Sequence, residues 1–82
     1  MRADICNPGD EIAVERFKLT LNLLSAEKIG KSWGLGVDVL DFQIGKDVLT
    51  VFADTCSIDI EGPEHLVRHV LQLFKRQGSS IA

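Results

Sequence analysis

Residues 36–61, GVDVLDFQIGKDVLTVFADTCSIDIE, decide the fold. Apolar and polar residues alternate along this stretch, which is typical of strands with one buried face. Turn-forming residues interrupt the alternation twice. The pattern therefore predicts an antiparallel meander of three strands, at residues 35–44, 47–53 and 56–61.

Two short turns predict how these strands pair. Gly45 and Lys46 suit a two-residue hairpin loop, and Asp54 and Thr55 suit a second one. The predicted pairs are Phe42 with Leu49, Leu40 with Val51, Ala53 with Cys56, Val51 with Ile58 and Leu49 with Ile60. All of these residues are apolar and fall on one face, which we expect to be the core face. A slip of one residue in either turn would bring polar residues into the core.

The closing segment, GPEHLVRHVLQLFKRQG at residues 62–78, predicts a helix. Pro63 suits the first helical position, and Glu64 suits the positive end of the helix dipole. Lys75 and Arg76 suit the last turn, and a glycine follows as a stop signal. The expected buried stripe consists of Leu66, Val67, Val70, Leu71, Leu73 and Phe74.

Another helix is predicted before the meander, over EIAVERFKLTLNLLSAEKI at residues 11–29. Asp10 suits its N-cap, and Gly30 suits its C-terminal end. Residues 16–24 also alternate as a strand would, so a strand there stays open as the alternative. The length of the segment and its content of Glu, Ala, Leu and Lys favour the helix.

The first helix carries two apolar stripes. One comprises Val14, Phe17, Leu21 and Leu24, and the other comprises Ile12, Leu19, Leu23 and Ala26. One stripe can face the core of so small a domain. The other is either buried on a second side or available to a partner.

These elements predict an α+β fold with two layers and the order α-β-β-β-α. Both helices are expected on one face of a three-stranded antiparallel meander. Residues 1–9 are predicted to be an N-terminal tail, residues 10–78 a single domain, and residues 79–82 a C-terminal tail. A chain of 82 residues has room for one core only.

Composition excludes several classes of function. The chain is 45% hydrophobic and 26% charged, which indicates a globular domain. Its net charge of −3 gives no general attraction to nucleic acids or to anionic membranes. No stretch has the length of a membrane span or the pattern of a signal peptide, and two cysteines do not make a disulfide scaffold. We therefore expect a cytoplasmic protein with free thiols.

The segment KIGKSWGLG at residues 28–36 resembles a phosphate-binding loop only superficially. The phosphate-loop motif needs a glycine where this chain has Ser25, and it should open a helix. Here Gly30-Lys31-Ser32 follows a predicted helix. The segment is better explained as a glycine helix end followed by a connection, in which Trp33 packs across the core or anchors a partner.

Three other groups of residues could carry chemistry. His65 and His69 are spaced to share a helix face as metal ligands, but no convincing third ligand accompanies them. Cys56 is expected on the core face, where a thiol is unreactive. Asp41 and Asp59 are expected to flank Thr50 on the open sheet face, which lacks the concave site that acid–base catalysis needs. We therefore expect no catalytic site, no metal site and no cofactor, and the protein is more easily explained as a non-enzyme.

Surplus apolar surface is the remaining functional signal. The open sheet face is expected to hold Val39 directly across from Phe52, inside a polar rim. The predicted interaction surface comprises Leu19, Leu23, Trp33, Val37, Val39, Val48 and Phe52. The sequence thus predicts a small protein–protein interaction module that forms a homodimer or binds another protein. The alternative function is a small-ligand or metal-binding protein that uses the helix face of His65 and His69.

Overall fold

The computed structural model describes residues 1–34 and 36–79, and it contains two helices and a five-stranded antiparallel sheet. Along the chain the elements are β1 (Arg2–Cys6), α1 (Glu11–Leu23), β2 (Glu27–Gly34), β3 (Val37–Ile44), β4 (Asp47–Ala53), β5 (Ile58–Glu61) and α2 (Glu64–Ser79). The strand order in the sheet is β1-β5-β4-β3-β2. The predicted α+β class is confirmed, with two helices on one face of a central meander. The sheet is two strands wider than the three that the sequence predicted.

The hairpin between β3 and β4 has the predicted register. Phe42 lies opposite Leu49, and Leu40 lies opposite Val51. Gly45 begins the two-residue turn with a φ of 63°, a conformation that glycine adopts without strain. The predicted core face of this hairpin is therefore correct.

The pairing of β4 with β5 is shifted by two residues from the prediction. Ala53 lies opposite Ile58, and Val51 lies opposite Ile60. The connection spans residues 54–57, because the Asp54 carboxylate accepts the backbone N–H groups of both Cys56 and Ser57 at 2.7 Å. A shift of two keeps the same side chains on the core face. Only Cys56 changes place, since it is exposed in the loop and not in the core as expected.

Helix α1 begins where the sequence predicts and ends earlier. The Asp10 carboxylate accepts the Ala13 N–H at 3.1 Å, which caps the N-terminus. At the other end the Ala26 N–H donates to the Leu21 carbonyl at 3.0 Å, while Ser25 has a φ of 54°. This is the Schellman arrangement that terminates many helices. Residues 16–23 are thus helical, and the predicted helix end at Gly30 is wrong.

Both additional strands lie at the edges of the sheet. Residues 27–34, expected as the end of a helix and a connection, form β2 beside β3. Residues 2–6, expected as a tail, form β1 beside β5. The N-terminal amine of Met1 also donates to the Gly62 carbonyl at 2.9 Å. Residue 79 belongs to α2, and residues 80–82 lie outside the described part of the chain.

The core lies between the helices and one face of the sheet. Its fully buried apolar side chains are Leu49, Ile60, Val67 and Val70. Phe17 of α1 meets Phe74 of α2 edge to face, with ring centroids 6.4 Å apart. That contact joins the two helices. The opposite side of α1, which we call its outward side and which carries Ile12, Leu19 and Leu23, faces solvent.

Candidate functional site

The outward side of α1 is the most exposed apolar surface of the described residues. Ile12, Leu19 and Leu23 are 71%, 52% and 63% exposed. At 100° per residue these positions fall within one narrow stripe of the helix. The second apolar stripe of the sequence is therefore unburied over most of its length. Ala26 is the exception, because it follows the helix and packs against the core.

Charged and polar groups border this stripe. On one side lie Glu11, Glu15, Lys18 and Asn22, all exposed, with the Lys18 ammonium 3.4 Å from the Glu15 carboxylate. On the other side the Arg16 guanidinium lies over the Phe74 ring, 4.8 Å from its centre. An apolar centre with a polar border is the usual make-up of a protein interface.

The open sheet face is less available than the sequence predicted. Val39 lies directly across from Phe52, as expected, but both are half-buried. Arg2 of β1 covers the Phe52 ring at 4.4 Å, and its guanidinium binds Asp59 at 3.1 Å. Among the predicted interface residues of this face, Val37 is half-buried and Val48 is 42% exposed.

Trp33, the remaining predicted interface residue, lies in β2. Its backbone pairs with Asp38 of β3. Its side chain lies outside the described part of the structure. Gly30, Lys31 and Ser32 belong to the same strand, so the segment that resembles a phosphate loop lies within a sheet edge and does not open a helix.

Two carboxyl groups meet on the open sheet face near its β1 edge. Asp4 lies directly opposite Asp59 in the antiparallel pair of β1 and β5. The pKa of Asp4 is raised because its carboxyl group shares a hydrogen bond with Asp59 and lies beside that negative charge. The pKa of Asp59 is lowered, first by the same hydrogen bond and then by the hydrogen bond from Arg2. The two groups therefore titrate as a pair.

The expected arrangement of Asp41 and Asp59 around Thr50 is wrong. Thr50 lies between Asp41 and Glu61, and its hydroxyl donates to the Asp41 carboxylate at 2.8 Å. Asp59 lies opposite Phe52 because of the two-residue shift between β4 and β5. Asp41 and Asp59 therefore do not form the predicted pair across Thr50.

His65 and His69 lie on the exposed face of α2, as predicted. His65 Nε2 is 2.8 Å from the Asp47 carboxylate, so one imidazole is already engaged. Both histidines line an open depression of about 650 Å³ together with the cationic side chains of Arg68 and Lys75. Positive charges beside the imidazoles oppose the binding of a metal cation. Within residues 1–34 and 36–79, no group of three potential metal ligands is assembled.

Neither Cys6 nor Cys56 is among the described residues that line this depression. Burial, and next the negative charge of Asp10, raise the pKa of the Cys6 thiol, which makes it less nucleophilic. Cys56 is exposed in the loop between β4 and β5. No sequence signal indicated that this loop has four residues except Asp54, whose side chain commonly caps such turns.

Comparison with other proteins adds no assignment. No protein-family model matches the sequence, and neither a curated protein nor a solved structure is significantly similar to it. Among the described residues, neither helix has the length and apolar character required to span a bilayer.

Proposed function

We propose that this chain is a small protein-interaction module that acts as a homodimer, joined through the outward side of α1. The observation that carries the proposal is the stripe of Ile12, Leu19 and Leu23, each more than half exposed. Burial of a large aliphatic side chain contributes about 1.5–3 kcal/mol. A second copy that covered the stripe would bury six such side chains, three from each chain.

The second copy fits best in an antiparallel, two-fold arrangement. Rotation about an axis near residues 17 and 18 brings Ile12 of one copy beside Leu23 of the other. The two Leu19 side chains then meet near the axis, and the helix dipoles oppose each other favourably. A parallel arrangement would instead align the two dipoles.

The polar border of α1 is also self-complementary in this arrangement. Glu15 and Asn22 lie on the same side of the stripe and are both exposed. The two-fold axis brings Glu15 of one copy to within about 3 Å, along the helix axis, of Asn22 of the other. The Asn22 amide can then donate to the Glu15 carboxylate, twice per dimer. Two Glu15 side chains do not face each other. The two Lys18 side chains do come level near the axis, but Glu15 of the other copy lies within about 3 Å of each along the helix axis and offsets their repulsion.

Sedimentation velocity from low to high micromolar concentration tests the proposal. The wild-type chain is expected to dimerise, and Leu19→Asp to remain a folded monomer, because its side chain is exposed in the subunit. Val48→Asp places the same charge on the open sheet face and should leave the dimer intact. Leu21→Asp places a charge in the core and should unfold the chain, so it shows what the measurement looks like when folding, and not dimerisation, is lost. A wild-type monomer at high micromolar concentration would overturn the proposal.

The antiparallel arrangement has a sharper test at Asn22. Asn22→Lys should strengthen the dimer, since lysine would face Glu15 of the second copy, and Asn22→Glu should weaken it. Two symmetric contacts of this kind change the dissociation constant by about tenfold in each direction. Gln43→Lys and Gln43→Glu make the same charge changes on the sheet face and should have no effect. Equal effects of the two Asn22 substitutions would exclude this arrangement.

A further inference from the structure

A cavity of about 200 Å³ lies beneath α1, on the side opposite to the proposed dimer stripe. Val14, Phe17 and Leu21 of the helix form its roof, and Leu40, Phe42 and Val51 of the sheet form its floor. The surface of the wall is entirely apolar. Lys18 is the single charged residue among the described residues that line it, and its side chain is 64% exposed. Lys18 therefore stands at the mouth.

Among the described side chains this pocket is a groove that is partly open to solvent, since Val14, Leu40 and Phe42 are only half-buried. Apolar surface that stays in contact with water is stabilised when an apolar group covers it. Apolar cavities of about 150 Å³ exclude water yet bind small apolar molecules. The chemistry of the wall therefore selects an apolar occupant over water.

The volume and the charge at the mouth specify that occupant. The volume of about 200 Å³ is comparable with that of apolar cavities that hold small hydrocarbons, so it suits a short hydrocarbon chain. The ammonium group of Lys18 favours an anionic head group at the mouth. Its present partner is the exposed Glu15 carboxylate at 3.4 Å, and exposed ion pairs of this kind are weak enough to exchange.

We propose that the cavity binds the hydrocarbon chain of a medium-chain fatty acid, whose carboxylate pairs with the Lys18 ammonium group. The apolar chain replaces the missing contacts between α1 and β3, and the head group stays in water. The apolar part of this site is separate from the proposed dimer stripe, because Val14 and Leu21 point to the sheet while Leu19 and Leu23 point away from it. Lys18 borders both surfaces, so Ala53, which lies away from the stripe, provides the variant that tests this site alone. Either proposal can therefore fail without the other.

Octanoate is the probe that matches the cavity. Titration into the full chain, followed through the methyl NMR signals of Val14, Leu21, Leu40 and Val51, should show saturable one-to-one binding. Octylamine, with the same chain and the opposite charge, should bind about tenfold more weakly. Lys18→Glu should weaken octanoate binding by a similar factor, whereas Lys46→Glu, in the turn between β3 and β4, should not change it.

A cavity-filling variant completes the test. Ala53 also lines the cavity, and Ala53→Leu should abolish octanoate binding while leaving the oligomeric state unchanged. If circular dichroism shows that this variant is unfolded, Leu40→Phe replaces it. Octanoate binding that persists in the folded cavity-filling variant, or wild-type methyl signals that do not shift below the micelle concentration, would overturn the proposal.

Discussion

The guanidinium carbon of Arg2 lies 4.4 Å from the centre of the Phe52 ring, although β5 separates their two strands. The same guanidinium binds the Asp59 carboxylate of the intervening strand at 3.1 Å. One side chain thus ties the N-terminal strand to the middle of the sheet and shields the Phe52 ring. This contact is the reason that α1, and not the sheet face, is the main apolar surface open to a partner.

Replacement of Arg2 by alanine should lower the free energy of unfolding by about 1 kcal/mol, because a half-exposed cation–π contact and a partly exposed ion pair with Asp59 are both lost. Urea unfolding measures this change. Arg68→Ala is the matched control, since it removes an exposed pair with Glu64 within α2 and should cost less than about 0.5 kcal/mol. An unchanged stability of Arg2→Ala would mean that Arg2 does not secure β1. Neither variant should alter dimerisation.

The Asp4–Asp59 pair predicts a pH-dependent effect of one substitution. The raised pKa of Asp4 means that its proton stabilises the folded state at low pH, and that this contribution is lost as the pH rises through the folded pKa. The lowered pKa of Asp59 acts in the opposite direction, giving stability that is lost as the pH falls. At neutral pH the repulsion between the two carboxylates remains.

Asp4→Asn should therefore stabilise the protein at pH 7, where the asparagine amide can donate to Asp59. The gain should shrink as the pH falls and the wild-type Asp4 becomes protonated. Thermal unfolding of both proteins between pH 7 and pH 3 measures the difference. Glu27→Gln neutralises a carboxylate in the edge strand at the far side of the sheet and should not reproduce this pH dependence. A gain that is constant with pH would contradict the shared proton.

The interior strands could be predicted from the sequence because their core-face positions are apolar at every second residue and turn-forming residues separate them. Leu49, Val51 and Ala53 of Asp47–Ala53 face the core, so this spacing of two had to be apolar, whereas the opposite face was free to hold both Thr50 and Phe52. The edge strands lack this constraint. Within Glu27–Gly34, two lysines and two glycines take positions that a buried strand would fill with apolar residues. Nothing in its periodicity separates β2 from a connecting segment.

The candidate site could be predicted in part for a similar reason. Leu19 and Leu23 were identified as surplus because the first helix has more apolar residues than one buried face can hold. The protection of Phe52 could not be foreseen, since it depends on Arg2, 50 positions earlier in the chain, in a strand that pairs only with β5. The cavity likewise depends on the distance between α1 and the sheet, which a single sequence does not encode.

Asp54 gives a prediction about the loop between β4 and β5. Its carboxylate accepts two backbone N–H groups at 2.7 Å, and Asp54→Ala leaves both without that acceptor. The expected loss is about 2 kcal/mol of unfolding free energy, with faster hydrogen exchange at the amides of Cys56 and Ser57. Asp38→Ala removes an exposed carboxylate of β3 and serves as the control. Unaltered exchange at those two amides would show that Asp54 does not hold the loop.

Ser25 gives the last prediction, because it ends α1 in a conformation that favours glycine. Its φ of 54° lies in the left-handed region, where a residue with a side chain pays about 1 kcal/mol or more. Ser25→Gly should relieve that strain. Glycine also makes the unfolded chain more flexible, which opposes the gain, so the net rise in the free energy of unfolding is expected to be about 0.5–1 kcal/mol.

The matched substitution Ser32→Gly lies within β2 and should lower stability by a similar amount, since glycine weakens a strand. Ser25→Ala should leave the strain in place, because alanine also has a Cβ atom. Urea unfolding of the three variants therefore distinguishes a stability change caused by the backbone conformation at residue 25 from one caused by loss of a serine hydroxyl. If Ser25→Gly and Ser25→Ala changed stability equally, the left-handed end of α1 would be excluded, and the boundary between α1 and β2 would lie elsewhere.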